Sequence, residues 1–179
     1  MWNWWHSTSE RRDIVRNRFL RWVPAALVMI LIFSFSAADG EESGSTSGVI
    51  VERILKLVEG DRPMPPQKRE ALFERLQFAV RKGAHMTEYA VLALAFLLPF
   101  SQYWRPVWPL AWRGELACFL YACTDELHQR FIPGRSGRFQ DVLIDSAGAL
   151  VGILVGIGIL SYIRKKHGNT EDRVNRTAP

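Results

Sequence analysis

Residues 142–163 read VLIDSAGALVGILVGIGILSYI, and Asp145 is their one charged residue. A helix crosses a bilayer with about 20 mostly apolar residues, so this block is long enough to span. Gly148, Gly152 and Gly156 stand at every fourth position. They give the helix one smooth face on which a second helix can approach closely. Packing within this chain is the preferred reading of that face, ahead of dimerisation.

Working backwards from this run, three more apolar blocks appear. WVPAALVMILIFSFSAA starts at Trp22 and AHMTEYAVLALAFLLPF at Ala84. A weaker block runs from Trp108 to Cys123 and contains Arg113 and Glu115. The mean hydropathy of −0.03 hides these blocks, because the charges sit between them. The expected fold is all-α: a polytopic membrane protein with a bundle of about four transmembrane helices. Residues 1–21 read as a basic N-terminal tail, 22–163 as the membrane domain and 164–179 as a polar C-terminal tail. The net charge of +5 and pI of about 9.6 fit the basic flanks of membrane segments. No groove-reading motif or aromatic platform points to nucleic acid.

Five arginines lie in residues 11–21, just before the first block, whereas DGEESGSTSG, just after it, has no Lys or Arg. The positive-inside rule therefore puts the N-terminus in the cytoplasm, and an even number of spans returns the C-terminus to the same side. The first block also has the basic start and small-residue end of a signal peptide. Its length favours an uncleaved anchor.

The first outer loop, 39–82, opens with DGEESGSTSG, a flexible linker by composition. VIVERILKLVEG then places Val51, Ile54, Leu55 and Val58 at helical spacing. After the break DRPMPP, QKREALFERLQFAVRKG gives a second amphipathic pattern through Leu72, Leu76, Ala79 and Val80. Two short amphipathic helices follow, lying on the membrane or packed as a cap. Trp104, Trp108 and Trp112 suit an interfacial belt. Cys118 and Cys123, five apart, face different sides of one helix and serve as core filling.

Between the last two blocks lies TDELHQRFIPGRSGRFQD, residues 124–141. If Arg113 marks the inner membrane edge, Asp125 lies about 18 Å farther along the helix axis, inside or at the rim of a core about 30 Å thick. Asp125 and Gln129 share a helix face, as do Asp141 and Asp145. On the second block Lys82, His85 and Tyr89 share another, and Glu88 follows His85 by three. All three faces sit at the outer ends of their helices. Ionisable groups at that depth are costly unless they face inward and pair. Two readings stay open: a closed salt-bridge network, or a binding pocket. A closed network leaves no cavity and no unpartnered side chain. A binder leaves a cavity between helices. A metal enzyme gathers at least three ligands at one point.

The fragments KGAHMTEY (82–89), DELHQRFIPGR (125–135) and DVLIDSAGALVG (141–152), in that order, resemble the VanZ-like membrane proteins. The resemblance covers about residues 25–160, and FSFS with its Ser/Gly-rich sequel is similar to the family's first span end. By resemblance, Lys82, His85, Tyr89, Asp125, Glu126, Gln129, Arg135 and Asp141 are motif positions. Asp145 stands where the family usually has Asn, which adds a negative charge. The family's namesake is linked to resistance to the glycopeptide teicoplanin, which implies a role at the cell envelope.

The favoured function is a membrane protein that binds an envelope component, a lipid or lipid-linked anion, through Lys82, His85, Tyr89, Asp125, Glu126, Gln129, Arg135, Asp141 and Asp145. Arg135 and Arg138 suit an anion, since the guanidinium forks onto phosphate or carboxylate. The alternative is an intramembrane enzyme acting on a lipid phosphate, with His85 as base oriented by Asp125 or Glu126, or with a metal held by His85, Glu88 and acidic groups. A transporter using the buried carboxylates is a third reading. Membrane lipids are the expected partners. No metal, cofactor or oligomer is assigned.

Overall fold

The computed structural model describes residues 16–38, 40–60, 63–102, 107–135 and 137–177. Most of the N-terminal tail and Trp104 lie outside them. Five helices follow one another: α1 (Val23–Ala37), α2 (Gly40–Glu59), α3 (Pro66–Phe100), α4 (Val107–Gln129) and α5 (Phe139–Thr177). Among the described residues there is no strand. A helical turn at residues 16–20 precedes α1, and Pro24 stands in the first turn of α1, where its missing N–H costs nothing.

Three stretches are long and apolar enough to cross a membrane: Arg16–Ala37, Pro66–Phe100 and Phe139–Ile163. Among the described residues the protein is thus all-helical with three candidate spans. The expected third of four, α4, has 23 residues, or about 34 Å of helix. That is long enough to cross, but Arg113, Glu115, Asp125 and Glu126 make it less apolar than the others.

Side-chain pairings fix the directions. Met29, Phe33 and Ser36 of α1 meet Tyr121, His128 and Asp125 of α4, so these helices run parallel. Lys82, Met86, Ala90 and Leu97 of α3 meet Asp141, Gly148, Gly152 and Gly156 of α5, also in parallel. Trp22 at the start of α1 stacks edge-on against Phe96 and Phe100 at the end of α3, so the two pairs run opposite ways. The glycine face of α5 therefore packs on α3 within the chain. A Cβ at Gly148 or Gly152 would strike the backbone of Met86 or Ala90.

The core is built from Ile32, Tyr89, Leu92, Ala93, Cys118, Ala122, Ala149 and Ile153, all buried. The outward faces stay apolar, with Leu27, Ile30 and Leu31 on α1 and Leu150, Val151, Leu154 and Val155 on α5 exposed. Such wide apolar exposure suits a lipid environment.

The outer loop departs from expectation twice. The segment read as a flexible linker is helical from Gly40 onward and belongs to α2. The second amphipathic segment is no separate element but the first half of α3, a single helix of 35 residues. Proline stands only in the first and last turns, at Pro66 and Pro99, and no proline lies between Pro66 and the apolar part to break the helix. At about 52 Å, α3 outruns the bilayer, and α2 folds back along its protruding half. Arg69 ties the hairpin, donating to Glu52 at 2.6 Å and lying 3.2 Å from Glu59. Gln77 donates to the Gly44 carbonyl at 3.0 Å. The buried stripe of α2 is Ser47, Val51 and Leu55. Val58, expected on that face, is exposed, because α3 covers only a narrow strip.

Candidate functional site

The C-terminal ends of α1 and α4, the middle of α3 and the N-terminal end of α5 meet at one level. Asp125, on the last turn but one of α4, is buried. Its Oδ2 accepts from Ser36 Oγ at 2.9 Å and from Gln129 Nε2 at 3.0 Å. Gln129 also donates to Ser36 at 3.1 Å, closing a triangle between α1 and α4. Glu126, one residue on, accepts the Arg138 backbone N–H at 2.8 Å and so pins the loop that leads into α5. Gly137 permits this: a Cβ there would run into the Glu126 carbonyl and lie 2.7 Å from Arg130 Cγ. Gly134 adopts φ 71°, the left-handed turn that follows Pro133.

Arg135 reaches back across the bundle. Its Nε donates to the Ala38 carbonyl at 2.9 Å and its Nη2 to the Phe35 carbonyl at 3.0 Å. Those carbonyls close α1 and lack helical partners, so the guanidinium caps the first span. Burial first, and the neighbouring positive charge of Arg81 second, pull the Arg135 pKa below its ordinary value.

Lys82 on α3 pairs with Asp141 on α5. His85, one turn on, lies with Nδ1 3.7 Å from Glu88 Oε2. The expectation that Asp125 or Glu126 orients His85 is not met, because Ser36, Gln129 and the Arg138 amide engage those carboxylates. Tyr89 is buried in the core with its ring 6.2 Å from that of Tyr121. Asp145 is buried on α5. Among the described residues, His85 Nδ1, Glu88 Oε2, Tyr89 Oη, Asp125 Oδ1 and Asp145 Oδ2 are buried without a hydrogen-bond partner. The polar set is not a closed network.

Two cavities open at this level. One, of about 210 Å³, is lined by Arg81, Lys82, His85, Gln129, Arg135, Arg138, Gln140 and Asp141. Four of those side chains are cations and one is a carboxylate. Among the described residues, no ion pair neutralises Arg81, Arg135 or Arg138. The second, of about 330 Å³, lies between the end of α1, α2 and α3. Arg81, His85 and Arg135 border both. Among the described residues, no three His, Cys, Asp or Glu side chains converge as a metal site.

The site also draws on residues beyond the sequence reading. Ser36 completes the triangle with Asp125 and Gln129, and its signal was FSFS at the end of the first block. Arg81 borders both cavities. Its neighbour Lys82 carried the motif, and nothing in helical spacing set Arg81 apart. Cys118 and Cys123 are free thiols.

A helical membrane-type protein whose helix ends gather a buried, partly unpaired polar cluster is the class these features define. The VanZ/LLP1 family profile matches residues 21–161, and the chain belongs to that family. The match takes in α1, so the helix that supplies Ser36 and the Arg135-capped carbonyls is part of the family domain. No curated protein and no solved structure matches the chain.

Proposed function

We propose that this VanZ-family protein binds an anionic component of the cell envelope, carrying a phosphate or carboxylate, at the outer membrane level. One observation carries the reading: a cavity bordered by Arg81, Lys82, Arg135 and Arg138 in which Asp141 is the one carboxylate. Lys82 is matched by Asp141, Arg135 donates to the Ala38 and Phe35 carbonyls, and Arg81 and Arg138 make no ion pair among the described residues. Arginine forks match phosphate and carboxylate oxygens, and charge-assisted bonds of this kind are the strong ones. Glu126 holds the loop that carries Arg135 and Arg138, and Asp125 ties α1 to the end of α4 beside it, so in this reading they position the site.

For the site to face the outer leaflet, α4 crosses the membrane as a fourth span. Its parallel pairing with α1 supports this, because both helices then run from the inner to the outer side. Both termini lie in the cytoplasm in this arrangement.

Methyl phosphate tests the anion site. Calorimetric titration of the detergent-solubilised protein is expected to show 1:1 binding, weakened about tenfold or more in Arg138→Gln, the effect of losing one hydrogen bond to a charged group. Equal binding by both proteins, or none by the wild type, contradicts the reading.

An enzymatic reading has one supporting observation: His85, with Glu88 beside it, borders both cavities. It makes His85 a general base acting on a bound phosphate ester. Release of inorganic phosphate or alcohol from such an ester, lost in His85→Ala, would establish it.

A further inference from the structure

The second cavity says more about the ligand than the charges do. Its apolar walls are Phe35 and Ala38 from the end of α1, Ile50 from α2, and Val80 and Ala84 from α3, with Thr46, Ser47 and Glu88 as polar groups beside them. Its volume of about 330 Å³ falls at the small end of ordinary ligand pockets, roughly 300–1,000 Å³. It meets the basic cavity at Arg81, His85 and Arg135. A mostly apolar chamber and a cationic chamber thus share one polar wall. A free inorganic anion would use only the second. We infer that the ligand is an anionic amphiphile, with its headgroup among the arginines and its apolar chain between α2 and α3. This rests on the anion-binding reading above and adds the chain to it.

The inference also gives α2 a role. Ile50 and the buried Ser47 make it one wall of the chamber, and Arg69 and Gln77 hold it against α3. Moving a chain from lipid into an apolar chamber yields little free energy, since both surroundings are apolar. The chamber is permissive. It lets a headgroup reach the arginines without dragging its chain through polar groups, which would be costly. A protein side chain that fills the chamber should therefore exclude the amphiphile and spare the bare headgroup.

The test uses the whole chain in a neutral maltoside detergent, with methyl phosphate and dodecyl phosphate as probes. Wild type is compared with Ala84→Phe, which fills the chamber from α3, and Ile50→Phe, which fills it from α2. Both variants are expected to bind dodecyl phosphate at least tenfold more weakly than wild type and methyl phosphate within twofold of it. The retained methyl phosphate binding shows that they fold, and the shared micelle cancels partitioning. Dodecyl phosphate held equally by all three proteins overturns the inference and leaves the headgroup site standing. Loss of both probes in both variants also overturns it, since head and chain would then occupy one space. Failure of both probes to bind wild type removes this inference and the proposed function together.

Discussion

Gly152→Ala puts a methyl group where α5 lies closest to α3. Its Cβ would meet the Ala90 carbonyl oxygen and lie 2.8 Å from both Ala90 C and Ala90 Cα. Carbon atoms in contact prefer about 3.5–4.0 Å, so the helices must part by roughly 1 Å. The obstacle is backbone, which cannot rotate away as a side chain can. Overpacking of this kind costs about 1–3 kcal/mol. Replacing a helical glycine returns about 0.8–1.0 kcal/mol. The net expectation is a loss of up to about 2 kcal/mol, the difference between those two effects. Gly158→Ala is the internal control. It lies on the same helix with nothing within 4 Å, so only the propensity gain applies and stability should hold or rise. Gly156→Ala falls between, since its obstacles are the side chains of Leu97 and Leu94, the latter at 3.0 Å. Unfolding in mixed detergent and SDS micelles, followed by circular dichroism, reads the series. A Gly152→Ala protein as stable as Gly158→Ala refutes the reasoning, because the two share the propensity gain and differ in the overpacking. Gly148→Ala, against the Met86 backbone, should cost stability in the same way.

Other perturbations follow from the same geometry. Ser36→Ala removes a donor from the buried Asp125 carboxylate, which should lower stability by about 1–3 kcal/mol and be visible as a drop in Tm. Arg135→Lys keeps the charge but loses the fork that donates to the Phe35 and Ala38 carbonyls. A lysine presents its donors from one point rather than in a plane, so Tm should fall and methyl phosphate affinity with it. If α4 crosses the membrane, a reporter active only in the cytoplasm should work when fused at either terminus. Activity at one terminus alone would mean an odd number of crossings.

Much of the bundle was legible because its signals are local and periodic. The apolar runs gave the helices, and the spacing of Gly148, Gly152 and Gly156 gave the packing face before its partner was known. The i, i+4 relation of Asp125 and Gln129 became a hydrogen bond. Lys82 and Asp141 met because each stands just before the apolar part of its helix and the two helices run parallel. The outer loop was harder. Glycine and serine in DGEESGSTSG lower helix propensity, yet packing along α3 overrides it, with Gln77 donating to the Gly44 carbonyl. Amphipathic and transmembrane halves of α3 were read as two elements because composition changes at residue 84 while the backbone does not. The roles of Ser36 and Arg81 depend on which helices become neighbours, and sequence spacing within one helix carries no such information.

The most direct measurement is native mass spectrometry of the protein purified in a maltoside detergent, wild type beside the Arg81→Gln/Arg138→Gln double variant. The account predicts one phosphate- or carboxylate-bearing lipid per wild-type chain, at least tenfold depleted in the variant, with the two proteins melting alike. Equal occupancy in both, or only uncharged and zwitterionic lipid in the wild type, would contradict it.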